Sequence, residues 1–374
     1  MFFRYRCEII SKSKSIYYRI VDRRKYLALG GSAVLAGCIG SPLSLLSDDL
    51  VKWTASLPSG PWTSPVIADG TVYIGADNQL LAYSIEDGDP IAFQFDELGT
   101  LTATPSIVDG KLLIPVFNEE NEESALTKLN DDGEVIWKRN LSGGYPFSMD
   151  VHENTISIRT ESMVFLLRED GTIKWEVETP TVNHDYLMRL ADLSPILHNE
   201  SVFIPSPNGL NKRDRETGVR EWTSLQRQVA ATPTVSGETI YCTSNEGLVT
   251  SIDKNTGKQN WRRSISGSWT APEVDDETVY VTSGTDVLAL DRTNGKTRWR
   301  LGDYGLHGDS YTDPVIVENT VITGSIGRTM TLVSANDGQR LDHYEGNGTR
   351  TAIAVDGDIA VAVDGDQLAA LNLP

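Results

Sequence analysis

The chain is short of several things, and each shortage removes a class of protein. Three cysteines in 374 residues (Cys7, Cys38 and Cys242) are too few for a disulfide-stapled scaffold. The 33 Lys and Arg residues are outnumbered by 52 Asp and Glu, so the basic surface that phosphate binding needs is missing and nucleic acid is excluded as a partner. The five histidines, His152, His184, His198, His307 and His343, show no metal-ligand spacing. There is no His-Glu-x-x-His, no Gly-x-Ser-x-Gly and no phosphate-binding glycine loop ending in Lys-Ser/Thr. Helical periodicity is almost absent, and no apolar run is long enough to span a bilayer. What remains is a hydrophobic content of 39%, enough to build a core. These shortages leave no catalytic or metal-binding constellation to nominate.

Charge divides the chain. Residues 1–37 carry eight basic and two acidic residues, leaving 25 basic and 50 acidic residues in 38–374. A basic head on an acidic body reads as an export signal on an acidic protein. The composition suits high salt, where self-repulsion is screened, and a haloarchaeal origin is the expectation from it. The head holds the twin-arginine pair Arg23-Arg24, then a short apolar run from Leu27 to Ala36, ending at Leu35-Ala36-Gly37-Cys38. Small residues ahead of a cysteine resemble a lipobox, with Cys38 lipidated as the new N-terminus and 38–49 as a tether. One lipid chain holds a membrane only marginally, and two are expected here. Val21 stands where a GUG start would give a compact signal, so residues before about 21 are expected to be untranslated. The expected address is the outer face of the cytoplasmic membrane, reached through the twin-arginine (Tat) pathway.

The body repeats. Pro65, Pro105, Pro146, Pro195, Pro233, Pro272 and Pro314 recur at intervals of 40, 41, 49, 38 and then 39 and 42 residues, and Ala352 takes the place 38 further on. A turn glycine is followed four residues later by tryptophan as Gly133/Trp137, Gly171/Trp175, Gly218/Trp222, Gly257/Trp261 and Gly295/Trp299. Gly88 and Gly338 lack that tryptophan, and their two junctions are expected to pack less well. Each unit holds four short alternating runs joined by turn residues, in the first unit Ser64–Ala68, Thr71–Gly75, Leu80–Ile85 and Ile91–Phe95. Four strands in about 40 residues is the mark of a β-propeller. The last unit lacks a fourth strand, while Leu50–Thr54, with Trp53, is a surplus strand ahead of the first unit. The expectation is an all-β, eight-bladed propeller over 50–374 whose N-terminal strand completes the last blade; seven blades is the alternative count.

The stretch Asp253-x-x-Thr256-Gly257-Lys258-x-x-Trp261 resembles the tryptophan-docking repeat of the pyrroloquinoline-quinone-like (PQQ-like) propellers, and Asp214/Thr217/Gly218/Trp222 and Asp291/Asn294/Gly295/Trp299 match it less fully. The lipobox beside such blades resembles the BamB-like lipoprotein branch. The resemblance implies a structural role for the tryptophans and glycines of the repeat. It also brings in quinoprotein dehydrogenases, whose quinone packs on an adjacent cysteine pair beside a calcium ion and a catalytic Asp. This chain has no Cys-Cys, so neither PQQ nor calcium is expected as a cofactor, although a quinoprotein-like oxidoreductase stays open as an alternative. A BamB-like outer-membrane protein assembly factor is a second alternative and would need an outer membrane.

Binding residues gather on long loops at one face of a rigid ring. The connections from fourth to next first strand share a face with those between strands two and three. Long stretches there are Glu178–Leu193, Leu301–Thr312, Asn140–Phe147 and the acidic Asn118–Ser124. The candidate binding face takes Tyr145, Phe147, His184, Asp185, Tyr186, Met188, Arg189, Tyr304, His307, Asp309 and Tyr311, side-chain types that dominate interface energies. Cys242, within Thr239–Thr243, reads as a small buried residue. Asn140, Asn199 and Asn347 open glycosylation sequons, each fitting a polar turn. The expected role is a monomeric, non-catalytic scaffold for another protein of the cell envelope.

Overall fold

The computed structural model describes residues 50–58, 63–76, 79–92, 99–130, 132–182, 193–206, 208–225, 229–244, 246–302, 312–325, 328–349 and 351–374. They form eight antiparallel sheets in a ring, with no helix among the described residues. Blade 5 is typical, with strands Thr234–Ser236, Thr239–Ser244, Leu248–Asp253 and Gln259–Ser264 paired in sequence order. Pro65, Pro195, Pro233, Pro272 and Pro314 sit one residue before the first strand of a blade, where a missing amide donor costs no ladder bond, and Pro146 opens the first strand of blade 3. In blade 2 the first strand is split into Thr100–Leu101 and Ser106–Val108, both paired to Lys111–Asn118. Blade 8 has three strands of its own, and Val51–Ser56 pairs antiparallel with Gln367–Asn372 as the fourth. The ring is therefore closed by the N-terminal strand, which leaves no open sheet edge at the join.

Position within a blade dictates sequence. Second and third strands lie between two neighbouring blades and are buried on both faces, as in Thr278–Ser283 (TVYVTS). Fourth strands are outermost, and in Gln259–Ser264 only Trp261 is buried. That tryptophan docks forward. Its indole Nε1 donates to the Arg292 carbonyl at 2.9 Å, and its ring covers Gly295 of the next blade. Gly295 has φ of 70° and a Cβ there would lie 2.5 Å from the Trp261 ring, so glycine meets both the left-handed turn and the close approach. The same pairing joins Trp53 to Gly88, Trp137 to Gly171, Trp175 to Gly218, Trp222 to Gly257 and Trp299 to Gly338. The fourth strand of blade 1, Pro90–Ile91, carries no tryptophan into the junction with blade 2. That junction is filled instead by Leu80, Leu101, Leu112, Ile114 and Leu129. The junction of blades 7 and 8 is filled by Ile322, Met330, Leu332, Ile353 and Leu371, with Tyr344 packed against them.

Two further sets of bonds run around the ring. The residue before the proline accepts an amide from its counterpart one blade back: Ala352 N–H to Ser64 Oγ at 2.9 Å, Ser194 N–H to Thr232 Oγ1 at 2.9 Å, and Ala271 N–H to Asp313 Oδ1 at 2.7 Å. The first of these bridges the last blade and the first. In blade 8 the proline's place, one residue before the first strand Ala354–Asp356, therefore belongs to Ile353 and not to Ala352. On the opposite end, the basic residue after each turn aspartate reaches back one blade. Arg215 donates to the His152 carbonyl and Thr155 Oγ1, Lys254 lies 3.4 Å from His198 Nε2, and Arg292 donates to the Ser236 carbonyl and the Tyr241 hydroxyl. Arg292→Ala orphans neutral, partly solvated acceptors, so it is expected to cost about 1 kcal/mol in urea unfolding, with little dependence on salt; a loss that vanishes at high salt would contradict these contacts.

Candidate functional site

The candidate face is the end of the ring that carries the connections between strands two and three, and between blades. The turn 119–122 between Lys111–Asn118 and Glu123–Leu129 is acidic and exposed. Beside it the rings of Phe117 and Tyr145 stack with centroids 3.8 Å apart at 27°. Burial, then the charges of Glu119 and Glu161, push the Tyr145 phenol above its ordinary range, so it stays a neutral donor.

Of the sequence-derived face, Tyr145 and Phe147 are placed, and only Tyr145 lies in a connection. Phe147 is inside the first strand of blade 3, Pro146–His152, with the buried Arg159 guanidinium 5.5 Å from its ring centre. Arg159 in turn donates to the Pro205 carbonyl of blade 4. The expected loop Asn140–Phe147 shrinks to 142–145, because Val135–Leu141 and Pro146–His152 extend into it. His184, Asp185, Tyr186, Met188, Arg189, Tyr304, His307, Asp309 and Tyr311 lie outside the described residues, as do Arg23, Arg24 and Cys38. Asn199 and Asn347 are exposed and lie outside the strands, but Asn140 sits in an outer strand, paired with Ala125, and not in a turn. Strand four of a blade faces solvent, which admits a polar residue there. Cys242 is buried, and burial pushes its thiol up, so it is a neutral wall residue.

Two features escaped sequence reasoning. The first is Trp269, 36% exposed in the connection between blades 5 and 6. Its signal was available: Trp62, Trp269 and Tyr311 each stand in an aromatic-Thr-x-Pro segment. The Thr turns inward, as Thr270 Oγ1 meets Thr282 Oγ1 at 2.6 Å and Thr312 Oγ1 accepts the Gly324 N–H at 2.6 Å. The second is acidic. Asp150 and Glu273 lie on first strands, and Asp313 just ahead of one, where the strands of neighbouring blades approach each other at the inner wall of the ring. Asp150 Oδ2 accepts the Leu197 N–H of the next blade at 2.7 Å, and burial still raises its pKa. Burial, then the nearby Asp313, pushes Glu273 up to about 7, and burial pushes Asp313 up to about 6. The clue in sequence was a Glu where other units hold Val66, Ser106, Ile196, Thr234 or Val315.

These elements define an eight-bladed β-propeller, closed between its ends, with a polar and aromatic face on one side and carboxyls on its inner wall. The family model described as outer membrane protein assembly factor BamB (PQQ_2) matches residues 208–373, from the third strand of blade 4 to the end. A search of the curated proteins gives no match. Among solved structures, BamB from Moraxella catarrhalis is 18% identical with TM-score 0.68, over 86% of this chain and 96% of that one. A quinohemoprotein alcohol dehydrogenase from Pseudomonas putida HK5 is 11% identical with TM-score 0.67, over 89% and 78%. Sqt1 from Saccharomyces cerevisiae is 11% identical with TM-score 0.70, over 87% and 99%. At such identities the likeness is one of fold.

The described residues do not fit a quinone and calcium centre. The adjacent cysteine pair is missing from the sequence, and Cys242 is buried between blades 4 and 5. Asp313 Oδ1 already holds the Ala271 amide, and no third acid joins Glu273 and Asp313 among the described residues.

Proposed function

We propose that the chain is a non-catalytic scaffold of the cell envelope that binds a protein partner through the face bearing Trp269, Tyr145 and the acidic turn 119–122. In this reading it acts as a monomer, is exported through the Tat pathway, and is held on the outer face of the cytoplasmic membrane by lipid on Cys38. The observation that carries the reading is Trp269. Six tryptophans at blade junctions pack on glycines of the next blade, whereas Trp269 is 36% exposed in the connection between blades 5 and 6. Aromatic anchors on a preformed surface bind at low entropic cost.

A photoreactive benzoylphenylalanine placed at position 269 in living cells is expected to give one discrete protein adduct. The same residue at position 276, on the opposite end of blade 6, is expected to give none. Equal labelling from both ends, or none from either, would remove the assignment of this face. The quinoprotein alternative rests on the likeness of fold to a quinohemoprotein alcohol dehydrogenase. It requires saturable one-to-one heat on titration with PQQ and calcium, where the scaffold reading expects none. A role in outer-membrane protein assembly, as in the name BamB, is a special case that requires an outer membrane.

A further inference from the structure

A cavity of about 350 Å³ opens between blades 4 and 5, on the side where the blades connect. Its origin is a local loss of volume. The second-strand residue that faces the preceding blade is Ile74, Ile114, Ile158 and Ile204 in blades 1 to 4, but Cys242 in blade 5. Across the ladder Cys242 pairs with Thr250, where blade 6 pairs Val281 with Leu288. The opposing wall is set by strained backbone. Leu225 adopts φ of 53°, rare for a residue with a branched side chain. Gly209 lies against its carbonyl so closely that a Cβ would come within 1.8 Å of that oxygen.

The lining is two-sided. Leu225, Val229 and Leu248 supply an apolar wall, and the neutral Cys242 thiol adds to it. Thr250 and Arg262, cross-strand partners, supply the polar one. Three of the six polar neighbours are already engaged: Ser224 Oγ donates to the Gly257 carbonyl at 2.6 Å, Thr243 Oγ1 to the Thr270 carbonyl at 2.6 Å, and Ser244 Oγ accepts the Glu246 N–H at 3.1 Å. Thr250 is different. It is 4% exposed, and among the described residues its hydroxyl has no hydrogen-bond partner. Arg262 is exposed at the edge and among the described residues has no ion pair. The Thr250 hydroxyl opens on the cavity, and a guanidinium beside it is the natural receptor for a carboxylate.

We propose that this cavity binds a small amphipathic carboxylate, with its charged end on Arg262 and the Thr250 hydroxyl and its short apolar chain against Leu225, Val229 and Leu248. The volume lies at the small end of ligand pockets, roughly 300–1,000 Å³, which suits a chain of a few carbons. The site is separate from the Trp269 face and does not depend on the scaffold reading.

Calorimetric titration of the purified full chain with sodium hexanoate tests it. Saturable one-to-one binding is expected, with hexylammonium at least about tenfold weaker because Arg262 repels it. Arg262→Gln is expected to weaken hexanoate by about tenfold or more and leave hexanol unchanged. The double variant C242V/T250L installs the kind of pair that packs the junction of blades 5 and 6. It is expected to abolish binding without lowering the melting temperature. Folded wild-type protein that does not bind hexanoate, R262Q that binds it undiminished, or a folded C242V/T250L variant that binds it as well as wild type would overturn the proposal.

Discussion

Trp53→Ala is expected to lower the unfolding free energy by about 3–5 kcal/mol, the range for truncating a buried aromatic side chain. Trp53 belongs to the N-terminal strand yet completes blade 8, and its indole Nε1 donates to the Ile85 carbonyl of blade 1 at 2.8 Å. A Cβ on Gly88 would lie 2.6 Å from the ring, so nothing larger than glycine faces it and no neighbour can fill the space left by alanine. Val72, Ile74, Tyr83, Val361 and Leu368 share the same buried cluster. The substitution therefore strikes the one junction where the two ends of the fold meet. Urea unfolding followed by tryptophan fluorescence and by circular dichroism measures it. The two probes are expected to separate in the variant, as the opened ring loses cooperativity between blades. A loss below about 1 kcal/mol with coincident probes would mean that closure does not depend on this indole.

The inner-wall carboxyls should make the protein less stable as pH rises, the reverse of the usual carboxylate effect. Glu273 is held at about 7 and Asp313 at about 6, above the 4.5 and 3.8 of free side chains. Between those limits the folded state binds more protons than the unfolded chain, so stability is full below about pH 4 and declines as pH climbs toward 7. In a dry site each shift would correspond to about 3 kcal/mol; partial solvent access reduces this to about 2–3 kcal/mol for the pair. Glu273→Gln with Asp313→Asn should therefore raise stability by that amount at pH 8 and leave it unchanged at pH 4. Asparagine keeps an oxygen to accept the Ala271 N–H, so the blade contact survives. Asp214, Asp253 and Asp291 act with the opposite sign. Their partner threonines, at 217, 256 and 293, hold these carboxyls below the usual range, and that stability is lost in acid. Denaturant midpoints from pH 4 to 8, compared between wild type and the double variant, separate the two effects. A pH-independent difference between the two proteins would mean that neither inner-wall acid holds its proton in the fold.

Much was legible because a propeller writes its architecture locally and repeats it. Turn glycines, alternating runs and a recurring proline specify the blade within 40 or so residues, and the missing last strand together with the surplus first one specifies the closure. Burial on both faces explains why second and third strands read as continuous apolar runs. The partner of each tryptophan was not legible. Trp261 precedes Gly295 by 34 residues and docks on it, not on its own Gly257, because the contact forms between blades. The same holds for the amide bond from Ala352 to Ser64 and for the backward reach of Arg215, Lys254 and Arg292. Phe147 was read as part of a loop and lies inside a first strand, with Arg159 from the next strand packed on it.

By itself, then, the sequence determined the all-β repeat and the strand that closes the ring, because each is encoded by spacing along a single chain, while the count of eight over seven was decided by the sheets themselves. The tertiary structure alone decided which acids share the inner wall, which tryptophan stays open, and where Cys242 and Thr250 leave a cavity. Those depend on volumes and charges brought face to face from different blades, and spacing along the chain carries no record of them.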